Sequence, residues 1–252
     1  MTSTPTPPPP ASPAAPETPA LSEGARLIDT FIAPSKTFTD IRRNASWWVP
    51  WILIAITQAA FIFVFDQKVG WETFMEQQIA KNPSAQARLE QLPPAQKERA
   101  LAIQVKFARY LGYAAPVTTL IFLLIASAIA MAIFNFGFGA QIPFKTSMSV
   151  FTYCNLPGLI VGLLGIVSLY ATSTPEAFNL NNPLATNPAY FLDPANSKLL
   201  YWLASCLDVV AIWMIVLMGI GYATVSKVKR GSAIAVFAVL YVVIKGFGAL
   251  RG

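Results

Sequence analysis

From Tyr110 to Phe144 the chain runs for 35 residues without a single charged side chain. No water-exposed surface can be built from such a run. About 20 apolar residues are enough to carry a helix across the ~30 Å hydrocarbon core of a bilayer. Two more uncharged runs are long enough on the same count: 22 residues between Arg43 and Asp66, and 30 between Lys145 and Glu176. Two others carry one charge each, Leu199–Val225 around Asp208 and Ser232–Leu250 around Lys245. Charged residues make up 12% of the chain, about half the share that covers a soluble domain. The expected fold class is therefore an all-α integral membrane protein. It has five transmembrane helices, at about 47–65, 112–136, 148–171, 199–225 and 232–250, and short interfacial amphipathic helices.

Three kinds of segment surround the spans. Residues 1–20 hold eight prolines, including Pro7 to Pro10; with no apolar face to bury, they read as a disordered tail acting as a spacer. In 21–46, Leu27, Ile28, Phe31 and Ile32 recur at helical spacing until Pro34. Ser35 then opens a second short helix with Phe38 and Ile41 on one side and Lys36, Arg42 and Arg43 on the other. These are the expected interfacial helices, pressed on an anionic leaflet. The loop 66–109 is helical and solvated, with seven basic and five acidic residues. Within it Trp71, Phe74, Met75 and Ile79 share one helix face, which reads as a surface-lying helix. Trp47, Trp48 and Trp51 form the aromatic belt of the first span. That span starts behind a long tail rather than a short basic region, so it is expected to stay uncleaved.

The net charge of +6 comes from 18 Lys and Arg scattered along the chain. No basic stripe interleaved with aromatics appears, so nucleic acid is not an expected partner; positive-inside topology explains the excess. Arg26, Lys36, Arg42, Arg43, Lys145, Lys227, Lys229 and Arg230 fall on one side of the expected spans, whereas loop 172–198 has only Lys198. The N-terminus is accordingly placed in the cytoplasm and the C-terminus outside, although loop 66–109 counts the other way.

Chemistry has few carriers. The chain has no His, the commonest metal ligand and general base. Cys154 and Cys206 both sit in apolar stretches, which excludes a disulfide framework or zinc site. Gly137-Phe-Gly139 and Gly219-Ile-Gly221 lack the strand and following acidic residue of a nucleotide fingerprint, and no P-loop, G-x-S-x-G or HExxH occurs. No catalytic residue, cofactor or metal site is expected, and the chain does not read as an enzyme.

Asp208 and Lys245 are the candidate intramembrane polar pair. A carboxylate inside a span costs about 2.5–3.5 kcal/mol on insertion scales and is usually paired or functional. Spans four and five, joined by a short turn, would be antiparallel neighbours, with these residues at depths within reach of each other. The pair would serve as an ion or proton site, or as an interhelical salt bridge with Lys245 free to snorkel. The bridge is favoured, because a transport route needs more polar groups than two. Gly158 and Gly162 form a small-xxx-small pair for helix packing, and Pro116 and Pro157 are expected kinks.

Three segments together carry a family resemblance: Pro34-Ser-Lys-Thr-Phe-Thr-Asp-Ile41 followed by Trp47-Trp48-Val-Pro50; Tyr153-Cys-Asn-Leu-Pro157-Gly158; and Leu207-Asp208 through Trp213 and Gly219-Ile-Gly221 to Lys229-Arg-Gly231-Ser-Ala233. Over roughly residues 25–250 the chain resembles the Yip family of five-span (Ypt/Rab-interacting) membrane proteins in its bacterial-type form. The resemblance implies a five-helix bundle with a cytoplasmic N-terminus, here in a bacterial inner membrane, and membrane-protein partners or homo-oligomers. Eukaryotic members are implicated in vesicle traffic with small GTPases. This chain lacks their acidic Asp-Leu-Tyr-Gly-Pro type motif, which argues against a small GTPase partner. The expected function is a non-enzymatic membrane scaffold or adaptor in contact with the lipid bilayer. The competing one is a small transporter or channel using Asp208 and Lys245.

Overall fold

In a computed structural model, the structure describes residues 19–175, 178–180, 182–193 and 197–251, without the side chains of 198 and 248–251. The Pro-rich segment expected to be disordered thus lies, up to residue 18, outside the described residues. Two short helices open the described chain. Helix α1 (Glu23–Ile32) starts at Ser22, whose hydroxyl accepts the Ala25 N–H at 3.2 Å. Pro34, with no N–H and a ring that crowds the preceding turn, ends it and takes the first position of α2 (Pro34–Arg43).

Helix α3 (Trp48–Lys68) has 21 residues, about 31 Å at 1.5 Å per residue, which matches the core thickness. Gly70, with φ +78°, turns the chain into α4 (Trp71–Ala80), and α5 (Pro83–Glu90) and α6 (Pro94–Tyr113) follow. Helix α7 (Ala115–Ala132) ends in one π turn, Ile133–Gly137, and the pair forms the second apolar span. The third span is α8 (Phe144–Cys154) plus α9 (Pro157–Ala171). Pro157 interrupts it, because a proline cannot donate the ladder bond; the Asn155 side chain meanwhile donates to the Phe151 carbonyl at 2.8 Å. The last helices are α10 (Lys198–Cys206), α11 (Val209–Ser226) and α12 (Arg230–Arg251).

The described residues form helices and no strands, and five helices are long and apolar enough to cross a membrane. They run 48–68, 115–137, 144–171, 209–226 and 230–247. The third begins four residues earlier than the sequence pattern indicated. The fourth, expected from 199, starts at Val209. Helix α3 packs between α7 and α9, while α11 lies against α12, α8 and α2. Spans four and five are therefore the expected neighbours.

One expectation about the peripheral helices is corrected. Phe38 and Ile41 were to rest on a leaflet; both are fully buried among the span helices, in one cluster with Val150, Tyr153 and Leu217. Protein side chains, not lipid, cover that amphipathic face. The apolar face of α4, the surface-lying helix, packs on protein, with Trp71 at its start. Trp71 is buried edge-on against Phe65 at 5.0 Å and Phe74 at 5.9 Å, in a second cluster that draws Val105 and Ala108 from α6. In both helices a 3.6-residue period says that one face is covered, not what covers it.

Candidate functional site: a docked hairpin and a broken span

Hairpin α1–α2 is fixed by a charge cluster that the sequence pattern did not single out. The Arg26 side chain is 1% exposed. Its Nε donates to Asp40 Oδ2 at 2.7 Å and its Nη1 to Glu23 Oε1 at 3.2 Å. The second Glu23 oxygen accepts the Tyr153 hydroxyl from α8 at 2.7 Å, and Asp40 Oδ1 accepts the Leu21 N–H at 3.2 Å. The Arg26 carbonyl accepts from Thr30 and Thr37. Burial alone would lower the guanidinium pKa; the hydrogen bond and charge of Asp40, with Glu23 and Tyr153, hold it above its ordinary value. The buried cation therefore stays charged, and its donors are answered, as a buried charge requires. A signal was present: Arg26 and Asp40 fall on the faces that carry Thr30 and Ile41, where an interfacial helix would have no use for an ion pair.

Apolar contacts complete the dock. Phe31 meets Trp213 of α11 edge-on at 5.4 Å. Gly221 leaves the space that Phe38 enters: a Cβ there would come within 2.6 Å of Val150 Cγ1 and 3.2 Å of Phe38 Cε1. Nearby, Ser147 Oγ donates to the Ser127 carbonyl at 2.7 Å and is joined to the Tyr222 hydroxyl. Ile28 and Ile32, on the far side of α1, are 62% and 74% exposed.

At the other end of α11, Asp208 is an N-cap rather than a mid-span charge. Its Oδ1 accepts the Ala211 N–H at 2.9 Å. Its Oδ2 accepts from Thr186 Oγ1 at 2.6 Å and Asn187 Nδ2 at 3.3 Å. The Val209 N–H bonds the Thr186 carbonyl at 3.0 Å. A capping carboxylate satisfies N–H groups that have no partner in the helix, and this one also pins loop 182–193 over the break between α10 and α11. No ion pair joins Asp208 to Lys245 among the described residues. Lys245 Nζ stands 5.8 Å from the Tyr241 ring centroid.

The packing residues sit at helix crossings. Gly162 lies beside Thr57 and Gly165 beside Phe61, both on α3, while Gly158 faces Met214 of α11. Gly219 lies close against α12: a Cβ there would come within 2.9 Å of Ile234 Cα and 3.0 Å of its backbone N. Among the described residues no group of three His, Cys, Asp or Glu could hold a metal.

Phe38, Tyr153 and Gly221 come from three segments far apart in sequence, yet they share one cluster at the end of the bundle where α2, α8 and α11 meet. No curated protein and no solved structure matches the chain. The family model for the Yip1 domain matches residues 28–250, nearly the whole chain, and takes in all three segments. The chain is therefore a multi-pass membrane protein of the Yip1 domain family.

Proposed function

We propose that the protein is a non-enzymatic membrane scaffold, in which the five-span bundle anchors hairpin α1–α2 and holds out the Pro-rich tail to membrane-protein partners. The observation that carries this reading is the Arg26 cluster. Asp40 bonds both Arg26 and the Leu21 backbone, so the tail leaves the protein from a fixed point. Outside that point the hairpin offers Ile28 and Ile32 with Lys36, Arg42 and Arg43 in the same two helices. Apolar side chains beside cations suit the surface of an anionic leaflet or a partner seated on it.

With five spans the termini lie on opposite sides. The basic residues Lys145, Lys227, Lys229 and Arg230 flank the spans at the hairpin end, which favours a cytoplasmic N-terminus and an outside C-terminus; a bacterial inner membrane is proposed from the bacterial-type form of the resemblance alone. The transporter reading loses support from Asp208: three donors already occupy its carboxylate, and Lys245 is not paired with it.

The test is crosslinking in the membrane followed by affinity purification. It compares the full chain, a chain lacking residues 1–18, and Ile28→Ser/Ile32→Ser. Removing all of 1–46 would strip Phe38 and Ile41 from the core and confound the result. A partner lost with the tail or the two isoleucines, while the bundle still folds, supports the scaffold. Identical recovery from all three chains, with no partner, overturns it.

A further inference from the structure

Helix α6 has two faces of different fate. Val105 and Ala108 pack toward α4, and Glu98, the only acidic residue of the helix, falls two turns before Val105 on that same side. The opposite face carries Ile103, Phe107, Tyr110 and Leu111 at i, i+4, i+7 and i+8. These side chains are 69%, 64%, 66% and 49% exposed. At about 100° per residue, Arg99 and Lys106 border this stripe on one side and Lys97 on the other. All three are exposed, and no acidic residue of α6 borders the stripe.

The stripe does not stop with the helix. Ala114 keeps right-handed helical geometry (φ −78°, ψ −1°), and its N–H still bonds the Tyr110 carbonyl at 2.9 Å. The exposed ribbon runs on along α7 as Val117, Ile121, Ile125 and Ile129, the lipid face of the second span. From Ile103 to Gly137 it would measure about 51 Å if straight, more than the about 40–45 Å of a bilayer with its headgroups. The span of 115–137 already crosses the core. Pro116, which offers no N–H to the Gly112 carbonyl, marks where the helix can bend.

We propose that α6 is a membrane-contacting helix. Its Ile103–Leu111 stripe lies at the headgroup boundary of the leaflet at the Lys68–Tyr113 end of the bundle, and Lys97, Arg99 and Lys106 select anionic lipid there. Continuity with the lipid face of α7 identifies the occupant as bilayer. The basic borders favour lipid phosphate over a second copy, because a symmetric dimer through this stripe would set like charges against each other.

The test places a fluorophore on single cysteines, I103C, F107C and L111C, in the full-length chain with Cys154 and Cys206 replaced, reconstituted in bilayers; I125C in the span is the internal standard for lipid contact. Expected is quenching by spin-labelled lipid that is strongest at I125C and falls steadily from L111C to I103C. Spin-labelled phosphatidylglycerol should quench severalfold better than spin-labelled phosphatidylcholine, and K97Q/R99Q/K106Q should abolish that preference. Quenching of the α6 sites by aqueous iodide alone overturns the proposal. So does shielding from both quenchers with crosslinking between copies at F107C, which makes the stripe a protein interface. Equal quenching by the two lipids overturns the anionic selection.

Discussion

Replacing Arg26 by methionine removes the cation but keeps most of its apolar stem. The change leaves Asp40, with a side chain 7% exposed, facing Glu23 with no positive charge between them. Breaking a buried pair by deleting one partner costs about 3–5 kcal/mol, because the other charge stays buried and unanswered. Each 1.4 kcal/mol is a factor of ten, so the opening equilibrium of the hairpin should rise by about two to three and a half powers of ten. The readout is amide hydrogen exchange over Glu23–Arg43 in the full chain in bilayers, since local opening is what such exchange measures. The double change Arg26→Met/Asp40→Leu should recover most of the protection, because a hydrophobic pair of similar volume can replace a buried ion pair at little cost. Exchange in R26M indistinguishable from the unaltered chain would refute the reasoning, and would mean that Phe38 and Ile41 hold the hairpin by themselves.

Gly219→Ala should destabilise the bundle by about 1–3 kcal/mol, because its Cβ would sit 2.9 Å from Ile234 Cα and 3.0 Å from its N, backbone that cannot rotate aside. Gly158→Ala, whose nearest neighbour is the flexible Met214 Cε at 3.5 Å, should be close to neutral; thermal unfolding of the two variants in one detergent decides this. Asp208→Ala should lose about 0.5–2 kcal/mol for the cap alone and speed exchange in 182–193, whereas Asp208→Asn keeps a capping oxygen and should change stability less. A reconstituted ion flux abolished by Asp208→Asn with protein level unchanged would favour the transporter instead. The Tyr113 hydroxyl donates to Asp66 at 2.7 Å. That bond, with burial and the Asp66 charge, raises its pKa above the ordinary 10.0, against the lowering effect of Arg109. Because the folded value is the higher one, the contribution is complete below pH 10.0 and is lost as pH rises through the folded pKa. The tyrosinate absorbance difference between the unaltered chain and Tyr113→Phe should therefore appear late; a transition at or below the ordinary value contradicts this.

The spans were legible because charge is expensive in hydrocarbon: long runs with no charge or one located all five, with ends a few residues off except the start of the fourth, which was ten residues early. Asp208 was misplaced because hydropathy treats one charge in a long apolar run as an interruption to be tolerated. Backbone chemistry treats it as a start signal. An Asp before Val-Val-Ala211 can hold the N–H three residues on, and Thr186 and Asn187, more than twenty residues upstream, complete its shell. That second contribution depends on how loop 182–193 folds, which no local pattern records. The hairpin failed to be read for a related reason. Its amphipathic period was visible, but the partner of its apolar face comes from Val150 and Gly221, more than a hundred residues away.

The Gly219-Ile-Gly221 pair shows what such distant partners demand of a span. Residues two apart on a helix point about 200° from each other. Gly219 therefore faces Ile234 of α12 while Gly221 faces Val150 and Phe38. A glycine in a span is usually read as letting one membrane helix approach another, and Gly219 does that. Gly221 does something else: it admits Phe38, a side chain of the peripheral hairpin, into the bundle. Helix α11 is thinned on two opposite faces, once for the neighbouring span and once for the hairpin. About two turns earlier Trp213 meets Phe31 of the same hairpin, so α11 touches α1 and α2 at two depths. A helix that only floated on the leaflet would need neither the missing Cβ at 221 nor the ring at 213. Their presence makes the hairpin part of the packed bundle, with the outer row of Ile28 and Ile32 left exposed.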